Sequence, residues 1–153
     1  MILVSSCLAG LKVRYNGLDS LDETIGRLVE EGRAIPVCPE VLGGCSTPRE
    51  PAEIVGGSGE DVLNGIARII DTTGSDVTDK FVQGAMETLR IAREAGATIV
   101  VLKESSPSCG SSRIYDGTHS GRKIPGMGVT AALLHREGIT VLSENQLERV
   151  FKA

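Results

Sequence analysis

Four short apolar runs punctuate the chain, and each gives way at once to polar or glycine-rich sequence. Ile99–Leu102 is the most apolar of them. An unbroken β-branched run of this kind predicts a strand covered on both faces, as in the middle of a parallel sheet. Met1–Ser6, Ala34–Cys38 and Ile139–Leu142 predict three more strands. Between them the hydrophobic period lengthens to that of helices. Asp19–Glu31 sets Leu21, Ile25, Leu28 and Val29 on one face and stops at Gly32. Thr78–Ala95 sets Phe81, Ala85, Leu89 and Ala92 on one face, with Thr78 as its predicted cap and Gly96 as its stop. Gly126-Met127-Gly128 opens a further helix that ends near Arg136, and Glu144–Lys152 predicts a terminal one.

Two segments depart from this alternation. Ile54–Val55 and Ala67–Ile70 flank a glycine-rich stretch and predict a small hairpin. Glu40–Glu53, broken by Gly43-Gly44, Pro48 and Pro51, predicts a long irregular loop, and such loops in compact domains are usually functional. The whole order predicts an α/β protein: a Rossmann-like three-layer fold with a mostly parallel sheet and helices on both faces, in one domain spanning 1–153.

Composition narrows the partners. Aromatic residues are only 3% of the chain and Trp is absent, which argues against stacking platforms for single-stranded nucleic acid. A net charge of −4 argues against a broad face for a phosphate backbone, so no extended nucleic-acid binding is expected. No apolar run approaches the length of a membrane span, and Met1–Ser6 is too short and lacks the basic flank of a signal peptide. The expected compartment is the cytoplasm. There, four cysteines without a CxxC pair read as thiols or ligands rather than disulfides, zinc knuckles or thioredoxin-type motifs. The oligomeric state is left open.

Cys7, Cys38 and Cys109 each follow a predicted strand. Open parallel sheets build their sites at such strand ends. Any one of these cysteines is as readily a small buried hydrophobe. Three together are different, because three thiolates in one place repel unless a cation holds them. Zinc and iron–sulfur clusters are the soft-ligand candidates. A structural zinc wants a fourth protein ligand, whereas three cysteines suit a cluster with one iron left open. Cys45, in the Gly-Gly loop after Cys38, could close the site, replace Cys38 or stand by. Three classes therefore stay open: an enzyme with an open iron, a metal-binding or scaffold protein with a closed four-cysteine site, and a thiol-redox protein.

SSCLAG with RYNG, CPEVLGG with TPREPAEI, DVT..F..GA, LKESSPSCG, IYDGTHSG and GMGVTAALL follow one another over nearly the whole chain. In this order they resemble the bacterial thiouracil desulfidase family. The resemblance implies a [4Fe-4S] cluster bound by three cysteines only, whose fourth iron takes sulfur from a thiolated pyrimidine such as 2-thiouracil or a 4-thiouridine nucleotide. Carried over by motif, the ligands are Cys7, Cys38 and Cys109. Leu is common in the family at the position of Cys45, which favours a bystander there, and an aromatic residue is usual at the position of His119.

The chemistry so implied is non-redox. An open iron polarises the thiocarbonyl carbon, and water attacks it with the help of a general base. Glu40 is the first candidate for that base and Glu104 the second, with Ser106 and Ser108 available to hold the base or the ring oxygen. The plain structural alternatives are an ion pair between Glu40 and Arg49 and turn bonding by the two serines. A nucleotide substrate would also need a phosphate cradle, for which Arg49, Lys123 and the amides at Gly126 and Gly128 are the candidates. Arg14 reads equally as a turn residue and as part of the site.

Overall fold

The computed structural model describes residues 1–147. The chain runs β1 (Ile2–Ser5), α1 (Glu23–Glu30), β2 (Ala34–Val37), α2 (Pro39–Leu42), β3 (Ala52–Val55), α3 (Gly59–Leu63), β4 (Arg68–Asp71), α4 (Thr78–Ala95), β5 (Ile99–Leu102), β6 (Arg113–Tyr115), β7 (Lys123–Pro125), α5 (Val129–Arg136) and β8 (Thr140–Ser143), then a 3-10 turn at Glu144–Gln146. A four-stranded parallel sheet in the order β2-β1-β5-β8 forms the middle layer. Val100, Val101 and Leu102 of β5 are fully buried, as a central strand requires. Each such side chain contributes about 1.5–3 kcal/mol on leaving water.

The two-residue period of the strands separates two cores. Leu3 and Val100 point to the side covered by Leu89 and Ala92 of α4 and by Ala131 and Leu134 of α5. Val4, Val101 and Leu142 point to the other side, under Ile25 and Leu28 of α1. The three-layer α/β architecture is thus the one the pattern predicts. β3 and β4 pair antiparallel, also as predicted, and pack Ile54 and Ile69 on Phe81 and Ala85 of α4.

Several boundaries move for local reasons. Asp22 caps α1 by accepting from the amides of Thr24 (3.0 Å) and Ile25 (3.2 Å), so Leu21 falls before the helix and is 55% exposed. Thr78 is the first residue of α4 rather than its cap. Its hydroxyl accepts from the Ile69 amide (2.8 Å) and donates to Asp76 Oδ1 (2.6 Å), which ties the helix to β4. The predicted strand at Ile139–Leu142 shifts by one residue. Of the predicted terminal helix, only the 3-10 turn lies within the described residues.

The irregular stretch after Cys38 contains one helical turn, α2. Pro39 stands at its first position, where a fixed φ suits a helix start. It lies against α4 at Gly84, where a Cβ would collide with the Pro39 carbonyl. That close approach sets the depth of Cys38 at the end of β2.

Candidate active site

A cavity of about 310 Å³ opens at the carboxyl ends of β1, β2 and β5. In the order β2-β1-β5-β8, the sequence of strands reverses between β1 and β5, which is where open α/β sheets hold ligands. Cys7, Cys38 and Cys109 all line this cavity. Cys45 does not line it, and packs instead against the cluster around Ile54 and Phe81.

Each cysteine is delivered by a strand end with its own local device. After β1 the chain turns tightly, with the Ser6 amide on the Val37 carbonyl (2.7 Å) and the Leu8 amide on the Ser5 carbonyl (3.0 Å), and Cys7 lies between them. Cys38 precedes the α2 turn, so the amides of Val41 and Glu40 face its sulfur. Cys109 is held by Ser106, whose Oγ accepts from the amides of Ser108 (3.2 Å) and Cys109 (2.6 Å).

Beneath Cys109 the polar groups satisfy one another. Glu104 accepts from the amides of Ser105, Ser111, Ser112 and Arg113 at 3.0–3.2 Å and from the hydroxyls of Ser111 (3.0 Å) and Ser112 (3.1 Å). Burial pushes its carboxyl up, but these donors outweigh burial and hold it below the usual range. Glu104 lines the cavity, but a carboxylate so engaged organises the loop and is the weaker of the two candidate bases. Ser108 is fully buried, shares a 2.7 Å hydrogen bond with Thr130, and does not reach the cavity. The proposed phosphate amides are likewise taken. Gly126 donates to the Ser112 carbonyl (3.0 Å), Gly128 to Gly110 (2.8 Å), Val129 to Pro107 (2.8 Å) and Thr130 to Ser108 (2.9 Å). Gly128 is glycine because a Cβ would stand 2.6 Å from the Ser108 carbonyl oxygen. Gly126 and Gly128 therefore seat α5 on the Cys109 loop and lie off the cavity.

Glu40 lines the cavity and pairs with Arg49. Arg49 Nε (2.9 Å) and Nη2 both donate to Glu40 Oε2, which leaves Oε1 without a partner among the described residues. Arg49 Nη1 donates to the carbonyls of Val13 and Ser46, both at 3.1 Å, and to Thr47 Oγ1 (3.3 Å). Most of its donors are thus taken by the protein, so Arg49 is poorly placed to serve a phosphate. Lys123 does line the cavity, 5.4 Å from the centre of the Tyr115 ring, and Arg14 lines it 5.9 Å from that of Tyr15. Neither has a carboxylate partner among the described residues. Lys103 lines it too, paired with Glu144 at 2.6 Å.

The 2-thiouracil desulfurase family model matches residues 2–146. The chain belongs to this family. It is 59% identical over 150 residues to the uncharacterized protein YbbK of Bacillus subtilis (strain 168), covering 98% of this chain and 99% of YbbK. It is also similar to the solved structure of the [4Fe-4S]-dependent thiouracil desulfidase TudS, with a TM-score of 0.85 and 44% identity over 97% of this chain and 93% of that one.

The donor set suits the kind of cofactor named for that desulfidase. Burial pushes the Cys7 thiol up to about 11, with Cys38 adding to the push and Arg14 and Lys103 opposing it. Burial also raises Cys38, and raises Cys109 well above its ordinary value, where Glu40 and the other two sulfurs add to the effect. Three such thiols become thiolates together only around a cation. Among the described residues, no group of three His, Cys, Asp or Glu side chains is gathered closely enough to hold a metal ion. A zinc would need sulfurs about 3.8 Å apart, from Zn–S bonds of about 2.3 Å.

Sequence reasoning passed over Tyr15, Tyr115 and Glu53, which also line the cavity. Glu53 accepts from the amides of Gly117 (2.9 Å) and His119 (3.3 Å) and so holds the Asp116–Gly121 loop at the edge of the cavity. The scarcity of aromatic residues was the available signal. Both tyrosines and one of the two phenylalanines, Phe81, line the same cavity.

Proposed function

We propose that this protein removes sulfur from a thiolated pyrimidine, 2-thiouracil or a 4-thiouridine nucleotide, without redox change, using a [4Fe-4S] cluster held by Cys7, Cys38 and Cys109. The observation that carries this reading is the meeting of three strand-end cysteines in one cavity with Glu40, in a chain of the desulfurase family. Held by the thiolates of Cys7, Cys38 and Cys109, a cluster would supply Lewis-acid chemistry toward the thiocarbonyl group. Glu40 Oε1 takes a proton from the water that attacks the thiocarbonyl carbon, and a C–O bond replaces the C–S bond as sulfide departs. Ser106, engaged only as an acceptor among the described residues, keeps its hydroxyl hydrogen for the ring oxygen. Tyr15 and Tyr115 flank the pyrimidine, and Arg14 and Lys123 meet a phosphate where the substrate has one.

The protein acts as a single domain in the cytoplasm on this reading, and no helix among the described residues is long and apolar enough to cross a membrane. Anaerobic reconstitution with iron and sulfide tests the function. The expected result is about four irons per chain, with sulfide formed in equal amounts with uracil from 2-thiouracil, or with the uridine nucleotide from a 4-thiouridine nucleotide. A single bound zinc, or a metal-free protein with a reversible disulfide, overturns it.

A further inference from the structure

Arg49 hydrogen-bonds both the loop after Cys7 and the turn after Cys38. Its Nη1 donates to the Val13 carbonyl and its backbone amide to the Tyr15 carbonyl (2.7 Å), so two bonds grip the Cys7 loop. Its Nε and Nη2 grip Glu40 in the α2 turn, and Nη1 also closes its own loop on Ser46 and Thr47. Its side chain is only 11% exposed and that of Glu40 only 12%. Both donors to Glu40 converge on one carboxylate oxygen, although the guanidinium fork can address both oxygens of a carboxylate. The carboxylate is thereby fixed in rotation with its other oxygen left over.

We propose that Arg49 is a positioning residue for the reaction: it holds Glu40 by Oε2 so that Oε1 faces the cavity, and locks the Cys7 loop to the α2 turn. This rests on the reading of Glu40 as the base. Lysine cannot replace the arginine, because one ammonium cannot span acceptors on Glu40, Val13, Ser46 and Thr47 in a fixed plane.

The test compares Arg49→Lys, Glu40→Gln and the double variant, all reconstituted anaerobically. In Arg49→Lys, kcat should fall by about 10–100-fold, the range for outer-shell partners of a metal site, with KM changed less than about threefold. Iron and sulfide content and the visible spectrum should stay those of the wild type. The double variant should be no slower than Glu40→Gln alone, because Arg49 acts through Glu40. In the cluster-free protein, amide exchange over 13–16 should accelerate in Arg49→Lys and not in Glu40→Gln.

A large rise in KM with kcat intact makes Arg49 a substrate ligand and overturns the proposal. So do additive losses in the double variant, or loss of iron in Arg49→Lys. Full activity in Glu40→Gln removes the base itself, and is distinguished by leaving the effect of Arg49→Lys unexplained through Glu40. If Arg49→Lys does not fold, Arg49→Gln takes its place under the same criteria.

Discussion

The floor and the rim of the cavity use polar residues in opposite ways. Under the floor, in and around the loop that carries Cys109, Glu104, Ser106, Ser108 and the first amides of α5 are satisfied by hydrogen bonds within the chain. At the rim, Arg14 and Lys123 lean on tyrosine rings, and no carboxylate among the described residues meets either. Polar groups already satisfied by the chain fix geometry. Polar groups left over are available to a ligand. Glu40 stands between the two regimes, with one oxygen engaged and one without a partner among the described residues.

The strongest way to break this comparison is to remove the floor's sulfur. Cys109→Ala, like Cys7→Ala and Cys38→Ala, should lose the cluster and lower desulfuration by at least about 100-fold. Cys45→Ala should retain iron and activity. Iron analysis decides, and a Cys45 variant without iron would reassign the ligands.

Next in size is the floor's carboxylate. Glu104→Gln should cost about 1.5–3 kcal/mol of folding stability in the cluster-free protein, the range for charge-assisted hydrogen bonds. Because the folded carboxyl titrates below its ordinary value, the unfolded chain binds more protons over that interval and stability rises with pH there. The Glu104 contribution is therefore full above the unfolded value, about 4.3, and fades as the pH falls through the folded one. Denaturation at neutral and acid pH should show wild type and Glu104→Gln converging at low pH. A constant gap would mean that shape rather than charge matters.

The rim should give the smallest effect and the most selective one. Arg14→Ala or Lys123→Ala should raise KM for a thiouridine monophosphate about tenfold, equivalent to about 1.4 kcal/mol. Both should leave free thiouracil nearly unchanged. Equal losses on the two substrates would move these cations from the phosphate to the ring or the cluster.

The elements legible in the sequence were those whose period was uninterrupted. Ile99–Leu102 and Thr78–Ala95 appear with the predicted bounds, and Gly96 takes the left-handed conformation expected of a helix stop. The hairpin of β3 and β4 was legible from apolar residues on both sides of its glycines. Short elements made by tertiary contact were not. α2 exists against Gly84, and the β6–β7 ribbon has only three residues per strand.

In the candidate site, the cysteines declared themselves by following apolar runs. The tasks of Arg49, Gly126 and Gly128 were illegible because they depend on what lies opposite. A free arginine and a tethered one have the same letter. An open helix start and one covered by the Ser108 loop also look alike in sequence.

The strand order also imposes a timetable. Cys7 and Cys38 follow neighbouring strands made early in synthesis, but Cys109 comes only after β5, which lies between β1 and β8. β8 is the last strand of the described chain and parallel pairing with it must wait until it has been made. A nascent chain thus displays two of the three cavity cysteines without the third, and on the proposed ligand assignment a cluster handed over at that moment would lack a ligand. If these three cysteines are the ligands, the third becomes available only once the chain has passed β5, so the full ligand set is complete before β8 is made.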